Sequence, residues 1–162
     1  MKMYWLLALL SLVIPPWAMP AFADQPGHGG SDEKINCPED LSNFREEMES
    51  LLRLIDVPEF IRTMRESLTA SIPDAIRQAD GLQAQIVALK EEIQYQEHVK
   101  ERAEFIAREA SNNPSGPLTP CRRREKGGFC SAVERYYMAK AANLANRGFL
   151  NALQCYQEAG LR

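Results

Sequence analysis

The run Pro73–Ala110, PDAIRQADGLQAQIVALKEEIQYQEHVKERAEFIAREA, sets the scale of everything around it. It has 38 residues, one glycine (Gly81) and no proline after Pro73. Ser71-Ile72-Pro73-Asp74 is a helix start signal, with proline in the first turn and an acid at the positive helix end. Leu82, Ile86, Leu89 and Ile93 recur at steps of 4, 3 and 4. That spacing keeps apolar side chains on one helical stripe. Val99, Ala103, Ile106 and Ala110 resume the stripe after a slip near Gln96, and the glutamates Glu91, Glu92, Glu97, Glu101 and Glu104 fall largely off it. If unbroken, this helix is roughly 57 Å long. Its apolar seam, of the kind coiled coils use, needs other helices to cover it.

Those helices are found on both sides. Upstream, Leu41, Phe44, Met48, Leu51 and Ile55 step by 3, 4, 3 and 4, after a start at Pro38 with Glu39 and Asp40 behind it. Asp56-Val57-Pro58-Glu59 breaks that phase, so the chain kinks or turns there. Phe60, Ile61, Met64 and Leu68 then belong to a second helix, capped by Asp56 or Val57. Downstream, residues 111–128 (SNNPSGPLTPCRRREKGG) hold three prolines and three glycines and read as a long loop. Ser131-Ala132-Val133-Glu134 has the form of a capping box opening a last helix, which runs to about Glu158 and stops near Gly160. This helix carries a polar stripe (Lys140, Asn143, Arg147, Asn151, Gln154, Glu158) and, elsewhere, a ridge of small residues (Ala141, Ala145, Gly148, Ala152) that lets another helix come close. The fold class is all-α: an elongated bundle of three or four helices over residues 37–162, with no internal repeat.

The N-terminus carries an export signal. Lys2 is followed by an uncharged apolar run, Tyr4–Ile14, then Pro15 and Pro16, then Ala21-Phe22-Ala23. This predicts a signal peptide over residues 1–23, cleaved before Asp24. Residues 4–23 are just long enough to span a membrane as an uncleaved anchor, but three prolines argue against a continuous helix there. Residues 24–36 (DQPGHGGSDEKIN) read as a flexible tail. The short signal looks bacterial, so the periplasm or the cell exterior is the expected destination, with no transmembrane segment after cleavage.

Cleavage leaves 139 residues and all four cysteines, which suggests two disulfides in an oxidising compartment. Cys130 and Cys155 share the last helix, 25 residues apart, and cannot meet. Two pairings remain. Turns at Pro58, at Pro73 and in the 111–128 loop give four alternating helices, with Cys37–Cys155 at one end and Cys121–Cys130 at the other. This is the pairing we expect. Three helices would instead place Cys37 near Cys130 and leave Cys121 for Cys155.

A Cys121–Cys130 bridge closes a short ring around Arg122, Arg123, Arg124 and Lys126. Charge is split along the chain. Residues 24–110 carry 10 basic and 19 acidic side chains, net −9, whereas residues 111–162 carry 8 and 3, net +5. The ring is therefore the candidate partner-binding element, facing an acidic protein or another anionic surface. Against that stands the simpler view that the basic part only complements the acidic helices of its own molecule.

Other candidates are weaker. His28, in Gly27-His28-Gly29-Gly30, offers a tail site for copper or zinc, and His98 stands near Glu101 and Arg102. No cysteine–histidine spacing fits a zinc site, so no metal and no cofactor is expected. Phe129, Tyr136, Tyr137, Phe149 and Tyr156 crowd the last helix, either as core or as the lining of a ligand groove. A net-acidic exported chain without an aromatic stacking motif lacks the footprint of a nucleic-acid binder. Hydrolase, P-loop and dinucleotide motifs are absent, so an enzyme is not expected.

The expected function is that of an exported envelope interaction protein: an accessory, adaptor or chaperone, with a secretion or conjugation apparatus as one setting for it. Its contacts would run through helical seams and the basic loop, to a protein partner in the envelope. A homodimer is a further expectation, since the long helix exceeds what its neighbours can cover. The alternative is a periplasmic small-ligand or metal binder using the aromatic last helix or the His28 tail. A helical inhibitor or toxin is a third reading.

Overall fold

Each apolar seam must be covered by a partner, and the order of elements supplies one for each. The computed structural model describes residues 36–78, 81–121 and 127–160. The predicted signal peptide, the tail up to residue 35 and the run 122–126 lie outside the described residues. A 3-10 turn, Ser42–Phe44, leads into α1 (Arg45–Leu52); then come α2 (Pro58–Leu68), α3 (Ile72–Gln78), α4 (Leu82–Glu109) and α5 (Gly128–Glu158). All described residues are in a single structural unit, Ile35–Arg162. The fold is an all-α bundle held by two disulfides, as the sequence predicts.

Helices α4 and α5 form an antiparallel hairpin. The Gln157 side-chain amide donates to the Gln83 side-chain carbonyl at 2.8 Å. Fourteen residues further along α4, and fourteen back along α5, the Asn143 amide donates to the Glu97 carboxylate. The first part of the chain lies along α5 as well. Cys37 is bonded to Cys155, Leu41 and Phe44 lie against Gly148, and the Asp56 N–H donates to Glu134 Oε1 at 3.1 Å. The strand of chain through α1 thus runs opposite to α5. Helix α2 brings the chain back, since the Leu41 N–H donates to the Leu68 carbonyl at 3.1 Å. At that same end the Ile72 N–H donates to the Glu39 carbonyl at 2.8 Å, tying the start of α3 to the start of the bundle. The turns fall before Pro58, around α3 and in the loop before α5, which is the four-helix alternation expected from the sequence. Both expected bridges follow from it: Cys37–Cys155 with Cα atoms 5.7 Å apart, and Cys121–Cys130 with 5.5 Å.

The predicted first seam is realised, with Leu41, Met48, Leu51 and Ile55 buried and Phe44 packed beside them. It joins Met64, Leu68, Ile72, Leu82, Ile86 and Leu153 in the main core. Helix α5 is the central element and touches each of the other four helices. Its ridge Ala141, Ala145, Gly148 and Ala152 is buried throughout. A Cβ on Gly148 would stand 2.7 and 2.9 Å from two ring carbons of Phe44, so glycine here lets the Leu41–Phe44 segment lie close on α5.

Three expectations are corrected. The first α-helix does not begin at Pro38. Asp40 accepts the Ser42 N–H at 2.9 Å and opens the 3-10 turn, and α1 begins only at Arg45. The run from Pro73 to Ala110 is not one helix. Gly81, with φ +128°, separates α3 from α4, and only glycine takes that backbone cheaply. Nor is there a slip near Gln96. The buried or half-buried positions Leu82, Ile86, Leu89, Ile93, Gln96, Lys100, Ala103 and Ala107 keep steps of 4 and 3 along the whole of α4. Ile106 and Ala110, assigned to the seam by the apolar pattern, are exposed.

Candidate functional site

The Cys121–Cys130 bridge spans the junction between the long loop and α5, at the end of the bundle away from Cys37. Of the predicted partner-binding residues, Arg122, Arg123, Arg124 and Lys126 lie outside the described residues. What is described is the base that carries them.

That base is anchored at three points. Arg108, near the end of α4, donates from one guanidinium nitrogen to the backbone carbonyls of Pro114 (2.6 Å) and Gly116 (3.2 Å). Its other nitrogens clasp Glu104 at 2.7 and 2.9 Å. The planar fork of arginine suits this double duty, whereas a lysine could not hold both sides. Next, Leu118 tucks into a small second core with Ala107, Ala132 and Val133, flanked by Phe129, Tyr136 and Tyr137. The Tyr137 hydroxyl donates to the Leu118 carbonyl, which satisfies the loop backbone as it enters that core. Burial pushes the Tyr137 phenol pKa up, with Tyr136 beside it acting the same way. The third anchor is the disulfide. A loop rich in proline and glycine is thus held along residues 108–121 by one arginine, one leucine and one bridge.

The predicted capping box does not form. Helix α5 starts at Gly128, before Ser131, and the Ser131 N–H makes an ordinary first-turn bond to the Gly127 carbonyl. Glu134 turns instead to the Asp56 N–H, fixing the α1–α2 turn.

The aromatic residues of α5 divide between two cores. Tyr137 packs against both, Phe149 and Tyr156 join the main one, and Phe129 and Tyr136 flank the small one. The Tyr136 and Tyr137 rings meet edge to face at 5.1 Å. None of these aromatics lines either of two open grooves on the bundle. One of about 520 Å³ lies along α2 between Asp56 and Thr69. The other, about 190 Å³, lies between Phe60, Gln96, Val99, Arg135 and Met138. His98 is exposed and 3.8 Å from Glu101. Among the described residues no group of three or more His, Cys, Asp or Glu side chains gathers as a metal site, and His28 lies outside them.

The hairpin holds a polar layer that the residue pattern does not reveal. Asn143 belongs to the polar stripe of α5, yet it is only 6% exposed. Its amide is held by Glu97, which also binds Lys100, while Arg147 reaches the Asn143 carbonyl at 3.4 Å. The hydrogen bond from Lys100, the nearby Arg147 charge and the Asn143 amide together hold the Glu97 carboxyl below its usual range. Lys140, Arg147, Asn151 and Glu158 of the same stripe are exposed, so Asn143 alone turns inward, at the border where α4 packs on α5. The available signal was the density of small residues from Ala139 to Ala152, which marks close packing against neighbouring helices.

Among the described residues, no helix is long and apolar enough to cross a membrane. Comparison with protein-family models, with curated proteins and with solved structures finds no match for this chain.

Proposed function

We propose that this chain is an exported bacterial envelope interaction protein: an adaptor, accessory or chaperone that presents a disulfide-closed basic ring to an acidic protein partner. The observation that carries this reading is the three-point anchoring of the ring's base through Arg108, Leu118 with Tyr137, and Cys121–Cys130. An arginine-rich segment on a fixed base loses less freedom on docking than one on a loose tail. The charge split supports the same reading, since the basic residues concentrate where the chain is closed into a ring and the acidic ones in the helices before it. Service to a secretion or conjugation apparatus fits an exported, helical, disulfide-bonded chain of this size.

The test has two parts. Amino-terminal sequencing of the exported protein should begin at Asp24, and fractionation should place it in the periplasm or medium. In-cell cross-linking from the ring, with the cross-linked protein identified by mass spectrometry, should give a defined envelope partner. Replacing Arg122, Arg123 and Arg124 by Glu should abolish that cross-link. An undiminished cross-link sinks the basic-ring reading.

A further inference from the structure

We infer that two copies of this chain associate through the outer face of α4, antiparallel and about a two-fold axis that passes between Gln96 and Glu97. The first observation is where the exposed apolar residues lie. Val87 (44% exposed), Tyr95 (61%), Phe105 (63%) and Ile106 (42%) are the large exposed hydrophobic side chains among the described residues. All four are on α4. Val87, Tyr95 and Phe105 stand opposite the seam that packs on α5, and Ile106 flanks them. Scattered exposed apolar residues need no explanation, but four on one face of one helix do.

The second observation selects the occupant. A two-fold interface must be complementary to itself. When the face is laid antiparallel on a copy of itself about that midpoint, Glu91 falls opposite Arg102 of the second chain, and Arg102 opposite its Glu91. Val87 falls opposite Phe105 and Ile106, and Tyr95 opposite His98. Acid meets base, apolar meets apolar, and an aromatic ring meets an imidazole, each twice. A parallel arrangement would set Glu91 on Glu91 and Arg102 on Arg102. Neither Glu91 nor Arg102 has an ion-pair partner among the described residues, so both charges are unengaged in the single chain. The face from Ala84 to Glu109 is about 38 Å long at 1.5 Å per residue. A helix pair of that length reaches the roughly 1,000 Å² that a specific interface needs. This contact uses none of the residues of the basic ring, so it stands or falls separately from the proposed function.

The disulfide-bonded exported chain decides the matter by analytical ultracentrifugation. The parent chain should dimerise in the micromolar range. Glu91→Arg alone and Arg102→Glu alone should each weaken the dimer by about tenfold or more, because each turns two attractive contacts into repulsive ones. The double variant E91R/R102E should recover the parent affinity to within a few fold. Both sites are exposed, and a far-UV circular dichroism spectrum unchanged from the parent shows that each variant is folded. As a second readout, a photo-cross-linking residue at Gln94 should join two chains, with the attachment within residues 98–102 of the second. A parent chain that stays monomeric at about 0.5 mM overturns the proposal, whether this face then serves another protein or nothing. So does a dimer indifferent to the single changes, or one that the double change fails to restore.

Discussion

Replacing Gly148 by alanine should destabilise the protein, against the usual preference of helices. In an open helix interior Gly→Ala gains about 1 kcal/mol. Here the new Cβ meets Phe44 ring carbons at 2.7 and 2.9 Å and Leu41 Cδ2 at 3.3 Å. Forcing such a fit costs about 1–3 kcal/mol. The two effects sum to a net loss of about 0–2 kcal/mol in the parent. Removing the ring by Phe44→Ala frees the space, so in that background Gly148→Ala should stabilise by up to about 1 kcal/mol. The same substitution changes sign with its neighbour, and the coupling between the two sites should exceed about 1 kcal/mol. Guanidinium unfolding of the four proteins of this cycle, followed by far-UV circular dichroism without reductant, measures it. If Gly148→Ala stabilises parent and Phe44→Ala background equally, the close approach of the Leu41–Phe44 segment to α5 is wrong.

Removing the Cys37–Cys155 bridge should cost about 5 kcal/mol and the Cys121–Cys130 bridge about 2.5 kcal/mol, because they span 118 and 9 residues; serine pairs compared by calorimetry should keep that order. Glu97→Ala strands the buried Asn143 amide and should cost about 1–3 kcal/mol in chemical unfolding, most of it regained when Asn143 is changed to Leu in the same chain. Stability should fall on acidification. Glu49, held low by Arg65, and Glu97, held low by Lys100, both bind protons more readily unfolded than folded. Their contribution is present above the usual glutamate value of 4.5 and is lost as pH drops through the lower folded values. A melting temperature that stays level from pH 6 to about pH 2 would contradict those pairings. Arg108→Lys should leave the helices intact but speed amide exchange over residues 112–118, since lysine cannot hold Glu104 and the two loop carbonyls together.

The sequence carried the helical class, the first seam and the turn at Pro58, because these rest on local spacing and on proline chemistry. It also carried the disulfide pairing, since counting turns decides which helix ends are neighbours. It did not carry what depends on a partner's identity. Gln96 and Lys100 interrupt the apolar pattern of α4, so the pattern suggested a slip; in the fold the seam passes straight through them and uses Glu97, Lys100 and Asn143 as a polar layer. Ile106 looks like a seam residue by composition and faces out by phase. At the candidate site the basic run and its flanking cysteines are plain in the sequence. The anchors Arg108 and Leu118 are not, because an arginine among helical charges and a leucine among prolines give no sign of which backbone they will meet.

Both disulfides end on α5, and together with the chain they have a topological consequence. Residues 37 to 155 form a closed covalent circuit. A single proteolytic cut anywhere between those cysteines leaves one molecule, not two. A cut inside the ring 122–129 is spanned a second time by its own local bridge. One nick would therefore change neither the mass by more than a water nor the number of pieces. It would become visible only on a reducing gel.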